Sequence, residues 1–174
     1  MLYVLTGVRG AGKTTQIERI KRTNVGVVLQ PSTTRPPRFE GESEYDFVKT
    51  WHTEDYAWSI DVGEYKYGMR TSEIQRAAIT PAFTVFEPIS IDTFYSFRDR
   101  SGVSARTIGL DTVTDLTEQI SRVDNVKSRV MTLDQFTLAR KKVREADIVL
   151  TGNEDEIFAE ITALWNVSHG SRAD

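Results

Sequence analysis

The residues best suited to chemistry stand near the start of the chain. Gly7-Val8-Arg9-Gly10-Ala11-Gly12-Lys13-Thr14-Thr15 fits the spacing G-x-x-x-x-G-K-[ST]. Glycines let the backbone turn tightly and aim its N–H groups at a phosphate, and the helix that follows adds the partial positive charge of its N-terminus. Gly7, Gly10, Ala11, Gly12, Lys13, Thr14 and Thr15 are therefore expected to bind ATP. Lys13 would reach the β- and γ-phosphates as a point charge, and the Thr14 hydroxyl would ligate Mg²⁺. The flanks agree: Leu2-Tyr3-Val4-Leu5 is a short apolar run of strand type, and Ile17 and Ile20 fall three apart among polar residues. A glycine-rich turn without a ligand is the competing reading, and it leaves the match of motif and flanks unexplained.

A second cluster lies at Ser32-Thr33-Thr34-Arg35-Pro36-Pro37-Arg38. Two guanidinium groups three residues apart, on a loop stiffened by prolines, suit bidentate capture of a phosphate. Tyr45 and Tyr67 can add hydroxyl donors without adding charge. Alone, this would be a solvated basic turn; beside a phosphate loop it suggests a second phosphate site facing the first.

These residues must be positioned by a scaffold, and the chain is long enough to build one. Its 174 residues suit a single domain with a sizeable core. Absence of cysteine fits a reducing compartment, and the expected location is cytoplasmic. The first apolar run is too short for a leader or a membrane span, so no membrane partner is expected. A net charge of -3 argues against a general nucleic-acid surface. Strands are expected at 2–6, 26–30, 45–49, 82–86, 104–110 and 148–150, with a strand pair over 57–67 turning at Gly63-Glu64. Helices are expected at 13–22, 70–79, 90–98, 115–126, 134–144 and 154–165, with a helical turn at 52–56 and fraying from Ser168. Strand-length apolar runs alternating with amphipathic helices imply an α/β fold whose parallel sheet is covered on both faces. The strand-rich region 35–69 reads as an insertion beside it. Ligands then sit at the carboxyl ends of the strands, where the phosphate loop, Arg35, Arg38 and Glu87 fall.

The order and spacing of S-T-T-R-P-P-R, Gly41-Glu42, Tyr45-Asp46-Phe47-Val48 and Tyr65-Lys66-Tyr67-Gly68 resemble those of the guanylate kinase family, and the resemblance extends from the phosphate loop to Asn153. It implies a P-loop three-layer sandwich with a central parallel sheet, an inserted subdomain for a nucleoside monophosphate (NMP) and a helical lid. The chain would divide into a core (1–30, 82–120 and 145–167), an NMP-binding region (31–80) and a lid (about 121–144). It further implies that Arg35, Arg38, Tyr45 and Tyr67 hold the acceptor's phosphate, that Glu87 lies beside the Mg²⁺ and the acceptor, and that Asn153 lies near the adenine of ATP. Ser32 and Trp58 are expected as further acceptor contacts, Trp58 either walling the base or serving as a core residue. Arg129 and Arg140, eleven residues apart, match two lid arginines that act in catalysis with Lys13 and Arg35; Arg122 and Lys127 are possible substitutes. The positions that read guanine in the family fall here on Pro31, Trp58 and Ile89, with Ser32 one place away and Asp61 or Glu64 available if the register shifts. Several unmade hydrogen bonds at ~1–3 kcal/mol each would cancel guanine affinity, so the base reader is expected to be rewritten.

The expected activity is in-line transfer of the ATP γ-phosphoryl to an NMP or dNMP by a monomer or homodimer, with ATP and Mg²⁺ as cofactors. GMP or dGMP is the acceptor by family, another or modified nucleotide by the altered positions. No strong general base is required, and neither His52 nor His169 is given a role. Two rivals stand: a silent guanylate-kinase-like binding module, against which Gly12, Lys13 and Thr14 speak, and a kinase of a small non-nucleotide phosphate, against which Tyr45 and Tyr67 speak. A GTPase is disfavoured by the lack of an N-K-x-D motif.

Overall fold

The computed structural model describes residues 1–123 and 130–170. Five strands form a central sheet: β1 (Leu2–Thr6), β2 (Val27–Val28), β7 (Ala82–Phe86), β8 (Ala105–Leu110) and β9 (Ile148–Leu150). Their order is β2-β7-β1-β8-β9, and every pairing is parallel. The central strand β1 is buried along its whole length, which is why it reads as a continuous apolar run rather than an alternation.

Its side chains still alternate between two cores. Tyr3 and Leu5 join Ile17 and Ile20 of α1 (Lys13–Thr23), Phe136 and Ala139 of α5 (Leu133–Arg144), and Ile157 and Ile161 of α6 (Glu154–Gly170). Leu2 and Val4 face the other way, onto Ala77 of α2 (Thr71–Ile79) and Ile91, Phe94 and Phe97 of α3 (Ile91–Ser101). The expected three layers are therefore present. The short helix α4 (Leu116–Arg122) completes six helices among the described residues; Asp115 caps it, its side chain accepting from the Glu118 N–H.

A second, four-stranded sheet stands beside the first, in the order β4-β3-β6-β5. Its strands are β3 (Ser32–Thr33), β4 (Asp46–Phe47), β5 (Tyr56–Val62) and β6 (Tyr65–Arg70). The hairpin β5–β6 turns at Gly63-Glu64 as expected, with Gly63 at φ 62°. Trp58 and Met69 from this hairpin enter the second core, joining the two sheets.

Strand β3 forms where a loop is expected, and the other differences from expectation concern ends. The edge strand β2 keeps only two ladder residues of the five expected, and α6 runs on to Gly170 instead of fraying from Ser168. The Tyr3 hydroxyl lies 2.5 Å from the Ser168 hydroxyl and holds that last stretch to the core. Helix α5 lies flush on β8, because any side chain at Gly109 would run into the Val143 carbonyl. Among the described residues no helix is long and apolar enough to cross a membrane.

Candidate active site

One cleft of about 670 Å³ opens at the carboxyl ends of β1 and β7, and its lining has three parts. The first is the phosphate loop, Arg9 to Thr15. Gly12 takes the left-handed conformation (φ 90°) as the N-cap of α1, a position open to glycine and costly for residues with a Cβ. Gly12 offers no side chain to bond the first N–H groups of α1, so these remain suited to an anion. Lys13 Nζ donates to the carbonyls of Gly7 at 2.6 Å and Val8 at 3.4 Å, and lies 3.8 Å from Glu87 Oε1. Thr14 Oγ1 donates to Glu44 Oε1 at 3.0 Å. These are hard oxygen ligands of the kind Mg²⁺ prefers, so the residues present fit that ion in company with nucleotide phosphates.

The second part faces the first. Arg38, Tyr45, Tyr67 and Glu87 line it. The Tyr45 and Tyr67 rings meet edge to face at 5.6 Å. Burial, reinforced by the nearby Glu87 and Glu44 carboxylates, pushes the Tyr45 phenol well above its ordinary range, so it stays a neutral donor. The third part is an apolar wall. Trp58, Ile60 and Val62 alternate along β5 and so share one face, with Leu29, Pro31 and Phe86 adjoining them. Trp58 is buried and packs on Phe86 with ring centroids 4.6 Å apart, so it is at once a core residue and a wall of the cleft.

No family model matches this chain, and no curated protein matches it in sequence. Among solved structures, a guanylate kinase from Anaplasma phagocytophilum superposes with a TM-score of 0.67 at 16% sequence identity, over 97% of this chain and 85% of that one. The two proteins share a fold. The central parallel sheet and its two helical layers are thus those of a guanylate-kinase-like P-loop fold.

Within this fold several residues lie elsewhere than the sequence suggests. Arg35 does not line the cleft. The residue is 7% exposed, and its guanidinium forms a fork with Glu42, Nη2 to Oε1 at 2.7 Å and Nη1 to Oε2 at 3.2 Å, with Nη1 also donating to the Pro36 carbonyl. Glu42 Oε2 accepts the Arg38 N–H as well, at 2.6 Å. The hydrogen bond from Arg35 holds the Glu42 carboxyl below its usual range and, in return, raises Arg35. Ser32 is buried and donates to Asp46 Oδ2 at 3.2 Å, away from the cleft. Ile89 lies in the turn after β7, half exposed and outside the lining; Asp61 pairs with Lys66 at 2.8 Å on the surface.

Two more of these residues also have a close partner within the chain. Asn153 caps α6: its side-chain oxygen accepts from the N–H groups of Asp155 and Glu156, at 2.9 and 3.0 Å. Arg140 reaches Asp111, Nε to Oδ1 at 2.9 Å, and the Thr114 carbonyl, while Arg144 takes the other Asp111 oxygen at 2.7 Å. Burial alone would raise Asp111, yet the bonds from Arg140 and Arg144 outweigh it and the carboxyl titrates below its usual range. Arg129 and Lys127 fall outside the described residues. Arg122 is the helical arginine that lines the cleft, donating to Glu118 at 2.6 Å and to the Thr112 carbonyl at 3.0 Å. Ile60, Val62 and Glu44 were not singled out from the sequence. Period-two alternation after Trp58 carries a signal for the first two; no local spacing links Glu44 to Thr14.

Proposed function

We propose that this protein is an ATP-dependent kinase of nucleoside monophosphates. The observation that carries this reading is a single cleft with the Lys13–Thr14 phosphate loop at one end and Arg38, Tyr45 and Tyr67 at the other. Phosphoryl transfer needs little covalent help from a protein; it needs two anions held in line and charge on the moving group. Lys13 and the loop N–H groups hold the donor phosphates, leaving their present bonds to Gly7 and Val8 to do so. Thr14 supplies a ligand to Mg²⁺, which when bound neutralises β- and γ-oxygens. Arg38, with the Tyr45 and Tyr67 hydroxyls, neutralises and orients the acceptor phosphate. Arg35 acts at one remove, fixing Glu42 and through it the Arg38 backbone. Arg122, bonded to the Gly10 carbonyl, is the cation available to the transferring group, and Glu87 lies in reach of Lys13. Of the lid expected at about 121–144, residues 124–129 lie outside the described residues and 133–144 form α5, whose Phe136 and Ala139 are packed in the core.

The base faces Trp58, Ile60, Val62, Leu29, Pro31 and Phe86, a wall suited to stacking and apolar contact. Guanine would find few partners for its edge groups there, chiefly the unbonded Thr84 hydroxyl, whereas a pyrimidine with an apolar 5-substituent would bury it against that wall. ADP release over GMP, dGMP, AMP, CMP, UMP, dTMP, 5-substituted pyrimidine nucleotides and a sugar phosphate tests the reading, with Lys13→Ala as the blank. Turnover is expected with mononucleotides, falling at least ~10³-fold in the blank. GMP far ahead of every other acceptor would overturn the apolar reading of the base. Turnover with the sugar phosphate alone, or calorimetry showing no ATP binding, would overturn the kinase of nucleotides itself.

A further inference from the structure

The contact between Thr14 and Glu44 joins the two ends of the cleft. Thr14 belongs to the phosphate loop; Glu44 belongs to the acceptor side, one residue before Tyr45, and the two are thirty positions apart in sequence. The segment carrying Glu44 is fixed on both sides. Glu42 is clamped by Arg35, the Ser43 carbonyl accepts from Gln30 Nε2 at 2.8 Å, and the Asp46 N–H donates to the Pro31 carbonyl at 2.9 Å. Glu44 is thus delivered to the phosphate loop by an anchored turn and not by a free side chain on a loose loop.

We infer that Glu44 is the positioning residue for the cation of the donor nucleotide, an inference that rests on the kinase reading above. A threonine hydroxyl has one proton and two lone pairs. With its proton directed to Glu44 Oε1, Thr14 turns a lone pair toward the loop, where a hard cation shared with phosphate oxygens would sit. The carboxylate also adds a negative charge close to that cation, which Glu87, directed at Lys13, does not replace. Because Tyr45 is the next residue, the same contact ties loading of the donor to the placement of an acceptor-phosphate donor. Metal-loaded ATP and the acceptor should then favour one another's binding, each by the same factor.

The charge of Glu44 gives the inference a sign test. Without a divalent cation the carboxylate repels ATP phosphates; with one it assists them. Titration calorimetry of ATP, in Mg²⁺ and in EDTA, on the wild type and Glu44→Gln separates the cases. The expected result is a crossing: about tenfold weaker ATP binding in Mg²⁺ for the variant, and equal or tighter binding in EDTA. Glu44→Asp, which keeps the charge on a shorter stem, should retain part of the Mg²⁺-dependent gain. Affinities that shift together in both buffers would mean that Glu44 only shapes the loop, and unchanged affinities would mean that its contact with Thr14 is incidental; either overturns the inference. A wild type that binds ATP in neither buffer would instead overturn the kinase reading.

Discussion

Under the proposed function, the two ends of the cleft would solve one problem, holding a phosphate, by different means. The donor end is made of consecutive residues and largely of backbone: a turn through Gly10 and Gly12, the open first turn of α1, and one lysine. The acceptor end is made of side chains brought from separate segments, Arg38 from a loop, Tyr45 from the edge of β4, Tyr67 from β6. A backbone cradle depends on spacing alone. A side-chain cradle depends on which partner each group finds, and an arginine finds a carboxylate as readily as a phosphate. The difference teaches that Arg35 and Arg38, three residues apart and identical in chemistry, have separate work. One holds the loop from below, and the other lines the cleft.

Removing the support should cost more than removing the contact. Glu42→Ala leaves Arg35 buried without its partner, and truncating one side of such a pair costs ~3–5 kcal/mol, to be read from urea unfolding. The same pair sets an acid limit. Glu42 titrates lower in the folded chain than in the unfolded one, so its contribution is whole above about pH 4.3 and is lost as the pH falls through the depressed folded value. Wild-type stability should therefore fall more steeply than that of Glu42→Gln below that pH.

Arg38→Ala should leave folding close to wild type, since the side chain is 45% exposed, and raise the acceptor KM by about tenfold or more with ATP KM unchanged. A loss shared equally between the two substrates would erase the distinction drawn between the ends of the cleft. Smallest is Asn153→Ala, which removes the cap of α6 at a cost of ~1 kcal/mol in stability. Unchanged ATP affinity in that variant would separate capping from any contact with adenine.

The same contrast marks what can be read in the chain. Apolar runs and glycine spacing made the parallel sheet, the hairpin at Gly63 and the phosphate loop legible, because each is a local pattern with one physical solution. Arg140 and Asn153 were legible as residues and not as roles. Their spacing in sequence is silent on Asp111, which takes Arg140, and on the first turn of α6, which takes Asn153. Ser32 shows the same limit at the resolution of one residue: a strand turned by a single position carries its side chain to the opposite face. The Arg35–Glu42 fork lies between these cases. Both partners are visible within eight residues of one another, but only packing tells that they spend their charge on each other.

Gly109 bears on how distant relatives could be found. With α5 seated on bare backbone at that strand, even a methyl group there would lift the helix that carries Arg140 and Arg144 away from Asp111. A profile built on the phosphate loop alone would gather every protein with such a loop. One that also demands glycine two positions before an aspartate, at the end of the strand beside β1, asks for this packing as well, and narrows the harvest to chains whose helical flank sits as this one does.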